Sequence, residues 1–320
     1  MIEVQNLTKV YGGKTAVENV SFKIRNGRIY GLLRPNGAGK STTINIMTGC
    51  LSPTEGTVLI NGYDICDQPI EAKRQIGYLP EQPPLFVDMT PAEYLTFVSE
   101  AKGVSDDLID RQGKEAMQGT DILSVKDRLI RNLSKGYRQR VGIAQAILGS
   151  PDIIILDEPT VGLDPQQPTE IRALARKLGE KLTVIISSHI LSEISELCDH
   201  VIILSEGHVV ADDDMAELEA RMNPETTLRM TVKADEAGAR AVLKSIEGVN
   251  TGTKLSENLA EGTVTLRVTT TAEADLRDEI FFAMAERRYA VLSTETVEQS
   301  LEEIFLSLTA KKSKSKEVDD

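Results

Sequence analysis

Seven consecutive residues, Pro35-Asn36-Gly37-Ala38-Gly39-Lys40-Ser41, combine the side-chain types that a polyphosphate needs. The glycines let successive backbone N–H groups converge on phosphate oxygens. The following Thr42-Thr43-Ile44-Asn45-Ile46-Met47 can supply a helix N-terminus, whose free N–H groups favour negative charge. At this spacing Lys40 would neutralise β- and γ-phosphates, and the Ser41 hydroxyl would offer Mg2+ a hard oxygen ligand. The general pattern G-x-x-x-x-G-K-[ST] asks for glycine where Arg34 stands. If position 34 needs positive φ or close contact with phosphate, arginine adds about 1–3 kcal/mol of strain; if the backbone is extended there, its side chain points outward. ATP is the expected ligand, and Arg34 puts the rate of hydrolysis in question.

A second group of residues supplies the complementary chemistry. The apolar run Ile153-Ile154-Ile155-Leu156 ends in Asp157-Glu158. One carboxylate there can hold magnesium through water, and the next can orient or deprotonate an attacking water. His189 follows a third strand-like run, 183–187, so it should emerge at the same sheet end and bond the γ-phosphate. Taken alone, each has a plainer reading as a tight turn, a solvated strand end or a structural histidine. Their order along one chain argues for a single site.

These groups need a frame. Short apolar runs alternate with helical stretches from residue 1 to about 220, which predicts a mostly parallel sheet covered by helices. Residues 90–132 are rich in polar and helix-forming types and predict a helical insertion between the two halves of the site. After Pro224 the texture changes to alternating strands and helices, in the order β-α-β-β-α-β-α if 250–255 supplies the second strand. That order fits a small ferredoxin-like α+β domain at 224–310. A charged segment without apolar period, 311–320, is expected to be a disordered tail.

Composition narrows the function classes. The 320 residues are 41% hydrophobic, and 36 basic against 49 acidic side chains leave a net charge of −13, which opposes attraction to nucleic-acid phosphates. No apolar run approaches the roughly 20 residues of a membrane-crossing helix, and no signal-like segment opens the chain, so a cytoplasmic location is expected. Cys50, Cys66 and Cys198 lack metal-ligand spacing and are expected to be buried or partly buried free thiols.

With the phosphate loop, the acid pair and the histidine in this order, residues 1–223 resemble the ATP-binding domain of ABC transporters, a P-loop NTPase of α/β class. On that resemblance Tyr11 corresponds to the aromatic residue that stacks on adenine. Leu133-Ser134-Lys135-Gly136-Tyr137 corresponds to the signature loop, whose Ser134 and Gly136 would reach the γ-phosphate held by the opposite subunit. Asp164 falls in the loop crossing that dimer interface, although an acid before Pro165 can equally cap a helix. The family's Q-loop glutamine aligns with Glu81 by position and with Gln82 by chemistry, and Lys135 replaces a second signature glycine.

The resemblance implies two such domains, in a homo- or heterodimer, sandwiching two ATP molecules with Mg2+. Their closure would drive a transmembrane permease at the inner face of the membrane. The motif spellings look closest to bacterial exporters of the ABC-2 type, in which a C-terminal accessory domain is common. Two alternatives stand beside this one. One is a non-transport ABC ATPase, against which the chain carries one phosphate loop and no sustained heptads. The other is a hydrolytically weak ABC subunit, suggested by Arg34.

Overall fold

The computed structural model describes residues 1–33, 40–222, 225–258, 262–271 and 275–296, divided between a unit that closes at Met215 and another that opens at Ala216. The first unit begins with β1 (Ile2–Tyr11), β2 (Lys14–Ile24), β3 (Ile29–Leu33), α1 (Lys40–Met47), β4 (Glu55–Ile60), β5 (Tyr63–Asp64), α2 (Pro69–Arg74) and β6 (Ile76–Leu79). It continues through α3 (Pro91–Ala101), α4 (Asp106–Gly119), α5 (Lys135–Ile147), β7 (Ile153–Asp157), α6 (Gln167–Gly179), β8 (Thr183–Ser188), α7 (Leu191–Leu197), β9 (His200–Ser205) and β10 (His208–Asp214). Helix α8 (Met215–Met222) starts at the boundary.

Six of these strands form one sheet in the order β10-β9-β3-β8-β7-β6. Every pairing in it is parallel except that of β10 with β9. All residues of β3 and β8 are buried, as are the first four of β7, because both faces are covered: α1 and strands β1, β2 and β4 share a core with one face, and α5, α6 and α7 also pack on the sheet, leaving no solvent side for polar residues.

A second, four-stranded sheet, β2-β1-β4-β5, is wholly antiparallel and was not foreseen among the parallel strands. Its origin lies in Gly12 and Gly13, both at positive φ, which turn the chain in two residues so that Tyr11 pairs with Lys14. So short a connection can only return the strand antiparallel to itself.

Helices α3 and α4 form a separate layer with its own apolar cluster, which includes Tyr94, Leu95, Met117, Ile122 and Ile130. Thr90 and Glu93 close a capping box at the start of α3, and Pro91 occupies its first turn. Helix α5 joins this layer to the main sheet. A side chain at Gly77 of β6 would collide with the Ala146 carbonyl, and one at Gly142 would press on Leu79, so glycine on both elements permits their close approach. The far end of α5 is capped by Lys102, whose ammonium bonds the carbonyls of Gln145, Ala146 and Leu148. Burial lowers the pKa of that amine to about 8. Cys198 is buried as expected, whereas Cys50 and Cys66 are exposed, because each lies in a connecting turn beyond the strands and helices of the core.

The second unit comprises β11 (Glu225–Lys233), α9 (Glu236–Lys244), β12 (Val249–Asn258), β13 (Thr263–Thr271), α10 (Arg277–Glu286) and β14 (Ala290–Thr296). Its sheet runs β12-β13-β11-β14 with every pair antiparallel. This is the split β-α-β arrangement of ferredoxin-like folds. Both helices contribute to its core, through Ala239, Val242, Leu243, Ile280 and Met284. The last helix of the expected order and the tail 311–320 lie outside the described residues.

One charged cluster fastens the edge of the main sheet. His200 places Nε2 2.7 Å from an Asp212 oxygen and Nδ1 2.7 Å from an Asp214 oxygen, and Asp214 also accepts from Arg28 at 2.6 Å. A ring that donates to two carboxylates must carry both protons. The Asp212 bond foremost, then that to Asp214, raises the His200 pKa above 6.5 despite its burial. A histidine whose pKa rises on folding contributes its full stabilisation below the unfolded value and loses it as pH climbs through the folded one. His200→Gln should therefore lower the urea midpoint at about pH 6 and make progressively less difference toward pH 9. Urea titrations of both proteins across that range check this, and a pH-independent difference would refute it.

Candidate functional site

Parallel pairing matches Leu33 with Ser188 and Asp157 with Ser187. Neighbouring strands lie about 4.8 Å apart, so the chain leaving β3, the acids closing β7 and the histidine after β8 emerge at one sheet edge. Arg34, Pro35, Asn36, Gly37, Ala38 and Gly39 lie outside the described residues, as do the side chains of Lys40 and Ser41, whose backbone opens α1. Thr42 is buried, with its hydroxyl 3.5 Å from that of Tyr11. The Tyr11 ring stands at the hairpin tip, 46% exposed, with the Lys9 ammonium 5.4 Å from its centroid. An exposed aromatic face beside the start of α1 can receive a flat ring.

Glu158 has the least ordinary backbone of the group. Its φ of 48° lies in the left-handed region, which costs an L-residue about 1–2 kcal/mol. Its N–H donates to the Ser187 carbonyl at 2.9 Å, extending the β7–β8 ladder by one bond before the chain turns away. The side chain is 7% exposed, and one of its oxygens lies 2.8 Å from Nδ1 of His189. When Nδ1 donates to the carboxylate, a neutral ring presents Nε2 as an acceptor. Donation from Nε2 to a phosphate oxygen then requires either the imidazolium or rotation away from Glu158. Asp157, the last residue of β7, lies near Tyr78. Burial first, and the Asp157 charge second, push the Tyr78 hydroxyl far above its usual pKa.

A different group of the expected residues gathers elsewhere on the same unit. Ser134 caps α5 by accepting from the Tyr137 N–H at 3.3 Å. Lys135 extends its ammonium toward Gly162, and Gly136 faces the side chain of Gln167, which would obstruct any side chain at 136. Gln167 also donates to the Asp164 carboxylate at 3.2 Å. Ser134, Gly136, Tyr137 and Asp164 line one cavity of about 570 Å³, and neither Glu158 nor His189 is among its described lining residues. Asp164 is not a helix cap, because that position before α6 falls to Gln166. Glu81 and Gln82 are both exposed in the loop after β6.

Behind the acid pair stands a residue that motif spacing did not flag. Glu193 of α7 is 7% exposed, and its carboxylate accepts from Thr160, Ser188 and Arg172. A sequence signal existed: Glu193 shares the helical stripe of Ile190, Ile194 and Leu197, where an acid interrupts an otherwise apolar face.

Residues 17–161 match the family described as ABC transporter. The chain is 30% identical over 312 residues to the linearmycin resistance ATP-binding protein LnrL of Bacillus subtilis, covering 97% of this chain and 99% of that one. It is 37% identical over 224 residues to the bacitracin transport ATP-binding protein BcrA of Bacillus licheniformis, covering 69% and 72%. Among solved structures, a dimeric ATP-binding cassette in a post-hydrolysis state with ADP and Pi superposes with a TM-score of 0.61 at 28% identity, over 67% of this chain and 99% of that one.

The left-handed backbone at 158 carries its own expectation. Glycine bears no penalty there and alanine does, so Glu158→Gly should be more stable than Glu158→Ala by about 1 kcal/mol. That reverses the usual order of the two residues. Equilibrium denaturation of both variants decides it, and an alanine variant that matched or exceeded the glycine one would show the conformation is not held in solution.

Proposed function

The chain belongs to the ABC transporter ATP-binding proteins, as an ATP-binding and ATP-hydrolysing subunit of exporter type, and from that premise we propose how its residues divide the work. Subunits of this family dimerise and work with transmembrane permeases. The observation that carries the proposal is the meeting of Glu158 and His189 at the edge where the chain leaves β3 toward the phosphate loop.

In this reading the segment Arg34 to Thr42 encloses the phosphates of ATP, with Lys40 against the β- and γ-phosphates, and the Tyr11 ring supports adenine. Ser41 and Asp157 are hard oxygen donors suited to Mg2+, which would neutralise charge on the phosphate oxygens, and Glu81 or Gln82 would approach the same ion. Glu158 orients the attacking water and accepts its proton, while His189 holds the Glu158 carboxylate in place and addresses the γ-phosphate. The surrounding burial of Glu158 strengthens both contacts by excluding bulk water.

Ser134, Lys135, Gly136, Tyr137 and Asp164 form the other half of the site and serve the nucleotide bound by a second subunit. The gathering of Ser134, Gly136, Tyr137 and Asp164 in a cavity that Glu158 and His189 do not line supports this division. Head-to-tail pairing of two chains would complete two sites at once. Among the described residues no helix is long and apolar enough to cross a membrane. We place the chain at the cytoplasmic face, attached through its permease, with export as the direction of transport. The relatives act in linearmycin resistance and bacitracin transport, which supports an antibiotic-like cargo.

A malachite-green assay of phosphate release, run beside size-exclusion chromatography with ATP, tests the assignments. Glu158→Gln should lower kcat by about 10²–10⁴-fold and accumulate an ATP-dependent dimer, whereas Lys40→Ala should fail to bind nucleotide. Arg34→Gly should raise turnover if arginine strains the loop; an unchanged rate removes the hydrolytically weak reading. Normal turnover in either of the first two variants would overturn the assignment.

We further propose that the second unit supports the dimer or regulates it. The match with LnrL extends over 312 residues, 97% of this chain, whereas that with BcrA extends over 224 residues, 69% of it. Deleting residues 225–320 should leave MgATP binding intact and weaken ATP-dependent dimerisation, as read by analytical ultracentrifugation; unchanged assembly and turnover would refute it.

A further inference from the structure

Two loops must keep their relative position if Glu158 and His189 are to meet, and one atom touches both. Thr160, two residues beyond Glu158, donates its hydroxyl to Oε2 of Glu193 at 2.8 Å. Ser188, immediately before His189, donates to the same oxygen at 3.2 Å, while its hydroxyl accepts the Ile190 N–H at 3.0 Å. Both hydroxyl residues are buried, Thr160 to 5% and Ser188 to 2% exposure. On the other carboxylate oxygen Arg172 of α6 contributes a longer contact of 3.4 Å, and its guanidinium is shared with Glu196 and Thr169. A carboxylate this deeply buried persists only with such partners.

We infer that Glu193 is a positioning residue for ATP hydrolysis, its carboxylate fastening the loop that carries Glu158 to the loop that carries His189; this rests on the functional reading above. A plain fold-stabilising role predicts less. Core hydrogen bonds can be placed anywhere, but here a single oxygen spans the two segments that must register at 2.8 Å, and one of those segments holds the left-handed turn at Glu158. Thr160 and Ser188 do not need to touch each other to be coupled, because Glu193 Oε2 serves both. Without the shared acceptor the turn is free to relax and draw the Glu158 carboxylate away from the histidine.

The test measures ATP turnover and MgATP affinity for Glu193→Ala, Glu193→Gln, Thr160→Val, Ser188→Ala and the Thr160→Val/Ser188→Ala pair. The full-length chain is used throughout. Glu193→Ala should lower kcat on the order of 10²-fold, the scale of a displaced catalytic group, with affinity nearly unchanged. Glu193→Gln, which keeps one oxygen to accept both hydroxyls, should recover most of that loss. The Thr160 and Ser188 losses should be strongly non-additive in the native background and additive once residue 193 is alanine.

Hydrogen–deuterium exchange, read without nucleotide, should rise together in peptides covering 157–164 and 187–191 of Glu193→Ala. Normal kcat in Glu193→Ala, additive losses in the native background, or unchanged exchange in both segments would each overturn the inference. A native protein that neither binds nor turns over ATP would instead sink the functional reading, and the exchange measurement would still decide whether Glu193 joins the two loops. Should the alanine variant not fold, Thr160→Val and Glu193→Gln carry the same comparison.

Discussion

The register of three parallel strands is the constraint from which the site follows. Leu33 opposite Ser188 and Asp157 opposite Ser187 bring three chain exits to one line at the sheet edge. A slip of one residue in either ladder would turn every side chain of a strand to the other face, and with it the acids that close β7. Packing along the strands, such as Gly77 of β6 against Ala146, resists such a slip, and so do hydrogen bonds at the strand ends. The ladder is fixed beyond Asp157 by the Glu158 N–H on the Ser187 carbonyl. At the opposite end, the Thr183 N–H donates to Asp152 and the Ile153 N–H to Gln75. The geometry we propose for catalysis is therefore a property of sheet register first and of loop chemistry second.

Helix α5 extends that precision to the residues we assign to the other half of the site. Its N-terminus presents Ser134, Lys135 and Gly136, and its body lies close on β6 because Gly77 and Gly142 leave no side chains between them. At the C-terminus Lys102 reaches from α3 to three free carbonyls, locking the helix to the α3–α4 layer. Gln167 then links the first turn of α5 to the loop holding Asp164. The half that would face a second subunit is thus tied to rigid elements at both ends, which suits a surface that must meet its partner in one geometry.

The sequence was most legible where the chemistry is local. Wholly apolar runs such as 153–156 announce strands buried on both faces, and a carboxylate pair at the end of one needs no tertiary information to be noticed. The antiparallel sheet was less visible, since β1 and β2 alternate only in part and the deciding feature is the positive φ at Gly12 and Gly13. Exposure of Cys50 and Cys66 depended on where turns fall, which composition does not reveal. Glu193 was harder still. Its meaning comes from Thr160 and Ser188, 33 and 5 residues away, which adjoin it only after β7 and β8 have paired. The Glu158–His189 contact belongs to the same class: the spacing placed both at one sheet end, but the 2.8 Å approach of Nδ1 is a product of the fold.

The left-handed turn at Glu158 and the buried carboxylate of Glu193 are each unfavourable when considered alone. A glutamate with positive φ is strained, and an anion removed from water is costly without partners. Placed in one structure they offset each other, because the hydroxyl of Thr160, on the segment that turns at Glu158, is one of the groups that satisfies Glu193. Relaxing the turn would leave a buried oxygen short of a donor, and removing the carboxylate would leave two buried hydroxyls without an acceptor. Each defect thus opposes the repair of the other. A site can hold a strained group in place by this means without a disulfide, a metal or a bound ligand, provided the surrounding helices keep water from filling the gap. The burial of Thr160, Ser188 and Glu193 to 5%, 2% and 7% exposure meets that condition.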